Sequence, residues 1–351
     1  MPDRRLSGQE IERWLREGDK KRLEELWRAA DETRRKHVGD EVHLRGLIEI
    51  SNYCVRACGY CGLRAPNEKV DRYRMSAEEI LGSAREAASY DFGTVVLQAG
   101  EDYGLRPEDI AAIVRQIKKE TPLAVTLSLG ERPREDLELW REAGADRYLL
   151  RFETSDAALY EKIHPSLPGG WPDRFEVLRT LRELGYETGS GVMIGIPGQS
   201  FASLAADILR FRGLDLDMIG VGPFLPHPNT PLGAGGLASD LQPEDQTPNT
   251  ELMTYKTVAL ARLACPEANI PSTTALATLN RASGRELGLM RGANIVMPNV
   301  TPPKYRVKYE IYPDKACIFD TARECRDCLK ARIESIGRTL GRGPGCRKKS
   351  S

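Results

Sequence analysis

The chain has 351 residues, of which 40% are hydrophobic and 29% charged, and its 51 basic side chains balance 51 acidic ones. This length suits two or three ordinary domains or one large α/β barrel. Zero net charge argues against a dedicated nucleic-acid partner, and no apolar run approaches the roughly 18 residues of a membrane span. The charged amino terminus has no apolar core like that of a signal peptide, so we expect a cytoplasmic protein without a membrane partner.

Helices are the first predicted elements, within residues 7–37, and they begin with a capping box formed by Ser7 and Glu10. Their apolar residues recur at helical spacing, and we expect them to cover the end of a larger body. From residue 41 onward, predicted strands alternate with predicted helices. The eight predicted strands are short and apolar and lie at 41–51, 94–100, 123–130, 146–154, 187–197, 218–226, 269–278 and 293–299.

Eight βα units over about 250 residues predict an α/β protein with a complete (β/α)8 TIM-type barrel. An open doubly wound sheet is the alternative, but the GxGxxG fingerprint is missing after the first strand. The predicted organisation is a helical extension over 1–40, the barrel over 41–303, a cysteine-containing extension over 304–336 and a disordered tail over 337–351. The tail is predicted to be disordered because it is glycine-rich, with five basic residues and no acid.

The cysteines carry the first functional signal, since eight of them in a cytoplasmic chain indicate metal or redox chemistry. Cys54, Cys58 and Cys61 form a Cys-x3-Cys-x2-Cys motif directly after the first predicted strand. Three thiolates can ligate three irons of a cubane iron–sulfur cluster and leave the fourth iron open. Zinc with a distant fourth ligand, and chance, are the alternatives. The position in a barrel's first βα loop favours the cluster.

Polar residues also end two other predicted strands. The second strand finishes with Gln98, Gly100 and Glu101, and the fourth carries Arg151 and Glu153. Because Arg151 and Glu153 are two residues apart, both side chains face the same way. Such a pair either forms a structural ion pair or binds a zwitterion, with the arginine on a carboxylate and the glutamate on an amine or ribose.

The cysteine motif after a first barrel strand resembles that of the radical S-adenosylmethionine (SAM) superfamily. This resemblance implies that the open iron of a [4Fe-4S] cluster chelates SAM, and that the reduced cluster cleaves SAM into methionine and a 5′-deoxyadenosyl radical. It implies that Tyr60 lies near the adenine and that Glu101 receives the methionine amino group, although Ala99 replaces one glycine of the family's turn. The implied cofactor-binding residues are Tyr60, Gln98, Gly100, Glu101, Arg151, Glu153 and Arg174.

Longer segments, from EVHLRGLIEISNYCVRACGYCGLR to GANIVMPNVTPPKYR, are similar to the HydE-type maturases of iron–iron hydrogenase. This similarity runs from about residue 10 to about residue 335 and implies a role in assembling the organometallic diiron part of the hydrogenase active site. The implied substrate is an iron–cysteine–carbonyl–cyanide fragment or a related thiol or thiazolidine. The implied partners are a reductant protein and other maturation proteins.

The same resemblance implies an internal cavity, which we expect to have a polar, uncharged lining able to hydrogen-bond cyanide or carboxylate groups. Taken singly, threonines in strands are explained as well by β-propensity, and a methionine by core packing. The expected cavity residues are Thr126, Ser128, Thr273, Thr274, Met297, Tyr305 and Tyr309.

A second cysteine group, Cys317, Cys325 and Cys328, follows the barrel. The resemblance implies that it holds a second iron–sulfur cluster, [2Fe-2S] or [4Fe-4S], that is dispensable for activity. Zinc and free thiols are the alternatives. Cys265 is predicted to be a small apolar filler and Cys346 a free thiol.

Two rival functions remain open from the sequence. One is a radical SAM enzyme acting on a small molecule, such as methylornithine synthase or a biotin-synthase-like enzyme. A substrate ammonium would then need buried acids, and beyond Glu101 and Glu153 few candidates stand at strand ends. The other is a non-catalytic iron–sulfur carrier, which would normally fill all four cluster ligands. The histidines are interpreted as structural, namely His37, His43, His164 and His227.

Overall fold

The computed structural model describes residues 6–167, 173–236, 239, 241–316 and 322–348. Parallel strands form an inner wall, and helices surround it. The strands are β1 (Glu41–Ser51), β2 (Thr94–Ala99), β3 (Ala124–Ser128), β4 (Arg147–Leu149), β5 (Glu187–Ile194), β6 (Met218–Pro223), β7 (Ile295–Val296) and β8 (Thr339–Leu340). The helices are α1 (Gly8–Arg16), α2 (Lys20–Val38), α3 (Ala77–Ser89), α4 (Pro107–Glu120), α5 (Arg134–Glu142), α6 (Ala157–Ile163), α7 (Arg174–Glu183), α8 (Phe201–Gly213), α9 (Glu251–Ala264), α10 (Thr274–Leu279), α11 (Gly284–Met290), α12 (Pro303–Arg306) and α13 (Ala322–Ser335).

The parallel sheet follows the order β6-β5-β4-β3-β2-β1-β7, which confirms the α/β class and the barrel-like arrangement of the predicted strands. Between β6 and β7 the described chain contributes two isolated bridges, Met218 with Asn269 and Pro271 with Ile295, in place of a continuous strand. The strand predicted at 269–278 is therefore wrong in its second half, which is helix α10. Its β-branched residues suggested a strand, but the Thr273 hydroxyl accepts a hydrogen bond from Leu276 N and caps the helix.

Strand β1 directs its side chains alternately to the two faces of the sheet. Ile48 and Ile50 are fully buried in the core between the strands and the helices. Leu47 and Glu49 point the other way, into the interior of the barrel, where they line a cavity. Both faces are therefore enclosed, and the inward positions include the buried polar residues Arg45, Glu49 and Ser51.

The amino-terminal helices belong to the same body. Helix α1 begins with the predicted capping box, in which Ser7 and Glu10 exchange hydrogen bonds. Ile11 and Leu15 are fully buried, and α1 packs against α8 and α9 while α2 packs against α9. Within the described ranges, every helix is too short or too polar to span a lipid bilayer.

The carboxyl-terminal tail is ordered where the structure describes it, so the predicted disorder is wrong for residues 337–348. Strand β8 pairs with the start of β1, at the end of the barrel where the strands begin. The carbonyl of Pro344 accepts hydrogen bonds from Thr94 Oγ1 at 3.2 Å and from Arg147 Nη2 at 3.1 Å. The basic residues of the tail find partners on the barrel, since Arg347 forms ion pairs with Asp215, Asp217 and Glu267.

Candidate active site

A cavity of about 360 Å³ lies at the carboxyl ends of the strands. In a barrel this is the end where functional residues gather. The cavity brings together the whole predicted cofactor set, which comes from four separate segments of the chain. These lining residues are Cys54, Cys58, Cys61, Tyr60, Gln98, Gly100, Glu101, Arg151, Glu153 and Arg174.

The thiols of the cysteine loop are close enough to influence one another, with Cys58 buried and Cys54 and Cys61 half-buried. Burial raises the pKa of Cys54, Cys58 and Cys61, in the last case to about 12, and repulsion between neighbouring thiolates adds to the shift for Cys58 and Cys61. A positively charged group bound among them would stabilise the thiolates. The donor set therefore fits an iron–sulfur cluster held by three cysteines.

Glycine is required where β2 ends against the cysteine loop. A Cβ atom on Gly100 would lie 2.1 Å from the carbonyl oxygen of Tyr53 and 2.8 Å from the Cβ of Cys54. Beside it, Val55 N donates a hydrogen bond to the carbonyl oxygen of Glu101 at 2.9 Å. These contacts fix the cysteine loop and the predicted SAM-binding turn relative to each other.

A buried chain of alternating charges supports two of the predicted SAM ligands. Arg56, inside the cysteine motif, donates from Nε to Glu101 Oε1 at 2.7 Å and also pairs with Glu131. Glu131 in turn accepts from Arg174 Nε at 2.8 Å. Burial and the nearby Arg174 cation lower the pKa of His164 to about 2, so the neutral ring accepts a hydrogen bond from Arg174 Nη2 at 2.6 Å. Sequence reasoning missed Arg56 and Glu131, and it classed His164 as structural.

Arg151 and Glu153, in the irregular segment that follows β4, have their side chains in contact, as the two-residue spacing predicts. Arg151 Nη2 lies 2.9 Å from Glu153 Oε2. Neither atom has a well-aligned hydrogen-bond partner among the described residues, and the same holds for Arg151 Nε. Glu153 has a left-handed backbone with φ 61°, held by hydrogen bonds to Gly191 and Met193 on β5. The guanidinium of Arg151 and the carboxylate of Glu153 can thus bind a ligand that carries both a negative and a positive charge.

Most of the expected substrate residues also line the cavity. The hydroxyl of Tyr309 accepts a hydrogen bond from Gln98 Nε2 at 3.2 Å, which links this wall to the predicted SAM site. The residues of the expected set that line the cavity are Ser128, Thr273, Thr274, Met297 and Tyr309.

Two of the expected substrate residues lie elsewhere. Tyr305 is in α12, and its hydroxyl donates to Glu79 Oε1 at 2.9 Å at the start of α3, while its ring stacks on Tyr73 at 4.6 Å. The helical turn directs this tyrosine to the outside of the barrel, so its assignment to the cavity is wrong. Thr126 is buried two residues before Ser128 on β3, deeper than the residues that line the cavity.

The expected uncharged lining is also wrong. Glu49 and Lys315 line the cavity and form an ion pair, and Asn299 Nδ2 donates to Glu49 Oε2 at 2.9 Å. The sequence does contain a signal for Glu49, since it is an acid between the apolar residues Ile48 and Ile50 of a predicted barrel strand. Lys315 lies in an irregular segment, where no periodicity indicates its direction.

The second cysteine group is only partly described. Cys317 lies outside the described residues, and Cys325 falls in α13 with its side chain outside them as well. Cys328, on the same helix, is exposed. Whether these three thiols share a metal site stays a prediction.

Comparison with known proteins agrees with this geometry. The model of the radical SAM superfamily matches residues 48–210. The [FeFe] hydrogenase maturase subunit HydE of Thermotoga maritima is 48% identical, over 93% of this chain and 89% of that protein. The 3-methylornithine synthase of Methanosarcina acetivorans is 30% identical, over 95% of this chain and 89% of that protein. A crystal structure of methylornithine synthase (PylB) superposes with a TM-score of 0.81 at 27% identity, covering 97% of this chain and 95% of that one.

The parallel barrel and its three-cysteine loop beside a cavity are those of a radical SAM enzyme, a class that binds SAM and a [4Fe-4S] cluster. The likeness to the Thermotoga protein extends beyond the superfamily segment to nearly the whole chain. The chain therefore belongs to the HydE family of [FeFe] hydrogenase maturases.

Proposed function

We propose that this enzyme acts in the assembly of the organometallic diiron site of [FeFe] hydrogenase. The observation that carries the proposal is the 48% identity with a HydE maturase subunit along 93% of the chain. Cys54, Cys58 and Cys61 would hold the [4Fe-4S] cluster. When bound, the cluster and SAM supply a one-electron cleavage of the sulfonium into methionine and a 5′-deoxyadenosyl radical.

The chain's own residues position SAM through charge and burial. Glu101, held by Arg56, offers its carboxylate to the methionine amino group. Arg174 is directed by Glu131 and supplies a cation for the carboxylate group. Arg151 and Glu153, whose mutual ion pair leaves polar atoms without a well-aligned hydrogen bond, extend the same recognition. Because this region is buried, each contact acts in a medium of low dielectric constant.

The remaining wall of the cavity would receive the substrate. We propose a small organometallic fragment built from iron, cysteine, carbonyl and cyanide, or a related thiol or thiazolidine. Thr273, Thr274, Ser128 and Tyr309 offer hydroxyl groups to its polar ligands. A reductant protein and other hydrogenase maturation proteins are the proposed partners, and the cytoplasm is the proposed location.

A second candidate is a radical SAM enzyme acting on a small amino acid. The buried carboxylate of Glu49 favours it, because a substrate ammonium needs an acid inside the cavity. The superposition on methylornithine synthase, with a TM-score of 0.81, is consistent with this alternative.

Anaerobic reconstitution tests both candidates. The iron-loaded protein is supplied with dithionite and SAM, then with candidate thiols, iron–cysteine complexes or lysine, and 5′-deoxyadenosine is measured. The same preparation is added to inactive hydrogenase together with the other maturation proteins. We expect hydrogenase activity that depends on this protein. Turnover of lysine to an isomeric amino acid, without hydrogenase activation, would instead support the second candidate.

The second cysteine group is included in the proposal as a peripheral iron–sulfur cluster held by Cys317, Cys325 and Cys328. These residues follow β7 in the chain and belong to none of the βα loops of the barrel. We propose that this cluster is not needed for SAM cleavage.

A further inference from the structure

Among the described residues that line the cavity, Glu49 and Lys315 form the ion pair that the proposed SAM site does not use. Glu49 is fully buried on β1, and Lys315 comes from the segment between α12 and α13, with 6% of its side chain exposed. Both residues line the cavity. Two elements that are distant in sequence therefore place opposite charges at one point of the cavity surface.

A buried ion pair is costly to build. Removing two charges from water carries a penalty that their attraction often fails to recover, so apolar residues of similar size would stabilise the wall at least as well. Part of the hydrogen-bonding capacity of this pair is also unused. The Lys315 ammonium has three protons, and the described residues accept one of them, through Glu49. Its other contact is the ring of Tyr309, whose centroid lies 5.2 Å from Nζ.

We infer that Glu49 and Lys315 form a binding site for an amino-acid group of the substrate, with Lys315 on its carboxylate and Glu49 on its ammonium. The inference rests on the proposed function, because it assigns the substrate class of the same cavity. Charge balance selects a zwitterion. A ligand with a single charge would leave one buried group uncompensated, whereas a zwitterion gives each member of the pair a new partner of opposite sign.

The surroundings hold one half of this site in place. Asn299 Nδ2 donates to Glu49 Oε2 at 2.9 Å and so orients the carboxylate whether or not Lys315 turns toward a ligand. Lys315 follows Tyr312, which also lines the cavity, on a segment anchored by Gly62 N to the Ile311 carbonyl oxygen at 3.0 Å. Glu49 is thus the fixed acceptor and Lys315 the adjustable donor.

The alternative is that the Glu49–Lys315 ion pair is purely structural and holds the segment that carries Lys315 against β1. Three probes separate the two roles: L-serine carries both charges, L-serine methyl ester only the ammonium, and N-acetyl-L-serine only the carboxylate. Their affinities are measured by calorimetry on the reconstituted holoenzyme saturated with SAM, which occupies the open iron. The variants are Glu49→Gln, Lys315→Met and the neutral double variant. Glu79→Gln and Lys304→Met remove a surface pair and serve as matched controls.

We expect Glu49→Gln to weaken the binding of L-serine and its ester by about tenfold or more and to spare N-acetyl-L-serine. Lys315→Met should weaken L-serine and N-acetyl-L-serine and spare the ester. The double variant leaves no uncompensated buried charge, and we therefore expect it to fold. It can replace a single variant that does not fold. It should lose the preference for L-serine over both derivatives, while the surface controls keep it. Undetectable binding of L-serine to the unmodified holoenzyme, or an equal loss for all three probes, overturns the inference.

Hydrogenase activation is measured in the same preparations, so the two proposals can fail separately. Charge-selective binding without activation of hydrogenase would overturn the proposed function and leave the zwitterion site standing. Activation together with probe affinities that do not respond to these substitutions would overturn the zwitterion site alone.

Discussion

Arg56, between two of the cluster cysteines, forms a buried ion pair with Glu131 in the loop after β3. This contact joins two further pairs, because Arg56 also holds Glu101 and Glu131 also holds Arg174. The four charges alternate along the chain of contacts and sum to zero. The cysteine loop is therefore tied electrostatically to two predicted ligands of SAM.

Replacing Arg56 by methionine tests this connection. It would leave the carboxylates of Glu101 and Glu131 buried with one partner fewer, so we expect SAM affinity to fall by roughly 2–4 kcal/mol. Calorimetry on the reconstituted protein gives the affinity, and iron analysis shows whether the cluster is retained. Arg106→Met is the matched control, since Arg106 pairs with Asp109 on the surface. An unchanged affinity for SAM would mean that these buried ion pairs have only a structural role.

Alanine at Cys54, Cys58 or Cys61 should abolish the reductive cleavage of SAM. The loop offers three thiols and no spare, and the next cysteine along the chain is Cys265, at the end of α9. Formation of 5′-deoxyadenosine under dithionite is the measurement. Cys265→Ala should keep full activity, which shows that the loss is specific to the loop. Substantial 5′-deoxyadenosine from any of the three loop variants would refute the cluster assignment.

Glu153→Gln and Arg174→Ala should weaken SAM binding while the first cluster stays in place. Each removes one charged contact to a zwitterion, and such a loss costs on the order of 2–5 kcal/mol when its partner remains buried. Arg174→Ala also leaves Glu131 with Arg56 alone, so it should have the larger effect of the two. The cluster's visible absorbance and the calorimetric dissociation constant are read in parallel. Normal affinity in both variants would return these residues to a structural role.

The sequence predicted that the proposed cofactor-binding residues lie together, because their grouping is encoded locally. Cys54, Cys58 and Cys61 lie in one loop, and Arg151 and Glu153 lie two positions apart. The spacing within each group therefore predicts that its side chains point in the same direction. The parallel barrel then places the loop ends together at the carboxyl ends of the strands. All of these residues line the same cavity in the structure.

The substrate half was harder because it depends on contacts between distant segments. Tyr305 and Tyr309 are four residues apart, yet one packs outside on Tyr73 and the other lines the cavity. Helix α12 and the irregular chain after it decide this difference, and no periodic pattern marks such a segment. Lys315 was missed for the same reason. Glu49 could have been found, because an ionisable residue on a strand with two enclosed faces needs a partner.

Serine at Cys317, Cys325 and Cys328 together tests whether the second group is peripheral. The triple variant should lose the iron, sulfide and visible absorbance of one cluster, yet keep SAM cleavage and hydrogenase maturation. The reason is that these cysteines follow the barrel and contribute to none of its βα loops. If a variant with a fully loaded first cluster cannot mature hydrogenase, the second group takes part in the reaction.

Asp207 on α8 should make the stability of the protein depend on pH. Burial raises its pKa from the ordinary 3.8 to about 7, although hydrogen bonds from Ser155 N at 2.5 Å and Ser155 Oγ at 2.6 Å act in the opposite direction. The folded protein holds the Asp207 proton that the unfolded chain releases above about pH 4. The stability that this proton contributes is therefore fully present at low pH. It is lost as the pH rises through 7.

Asp207→Asn isolates this effect, because asparagine keeps the shape and cannot titrate. Relative to this variant, the unmodified apoprotein should lose up to roughly 3 kcal/mol of unfolding free energy between pH 5 and pH 8, measured by anaerobic urea denaturation. Asp109→Asn serves as the control, since Asp109 is an exposed partner of Arg106 whose pKa is lowered rather than raised by that arginine. Relative to Asp109→Asn, the unmodified protein should show no such loss of unfolding free energy. The unfolding free energies of the unmodified protein and of Asp207→Asn are compared from pH 5 to pH 8. If their difference stays constant over this range, the Asp207 carboxyl group is already ionised at pH 5.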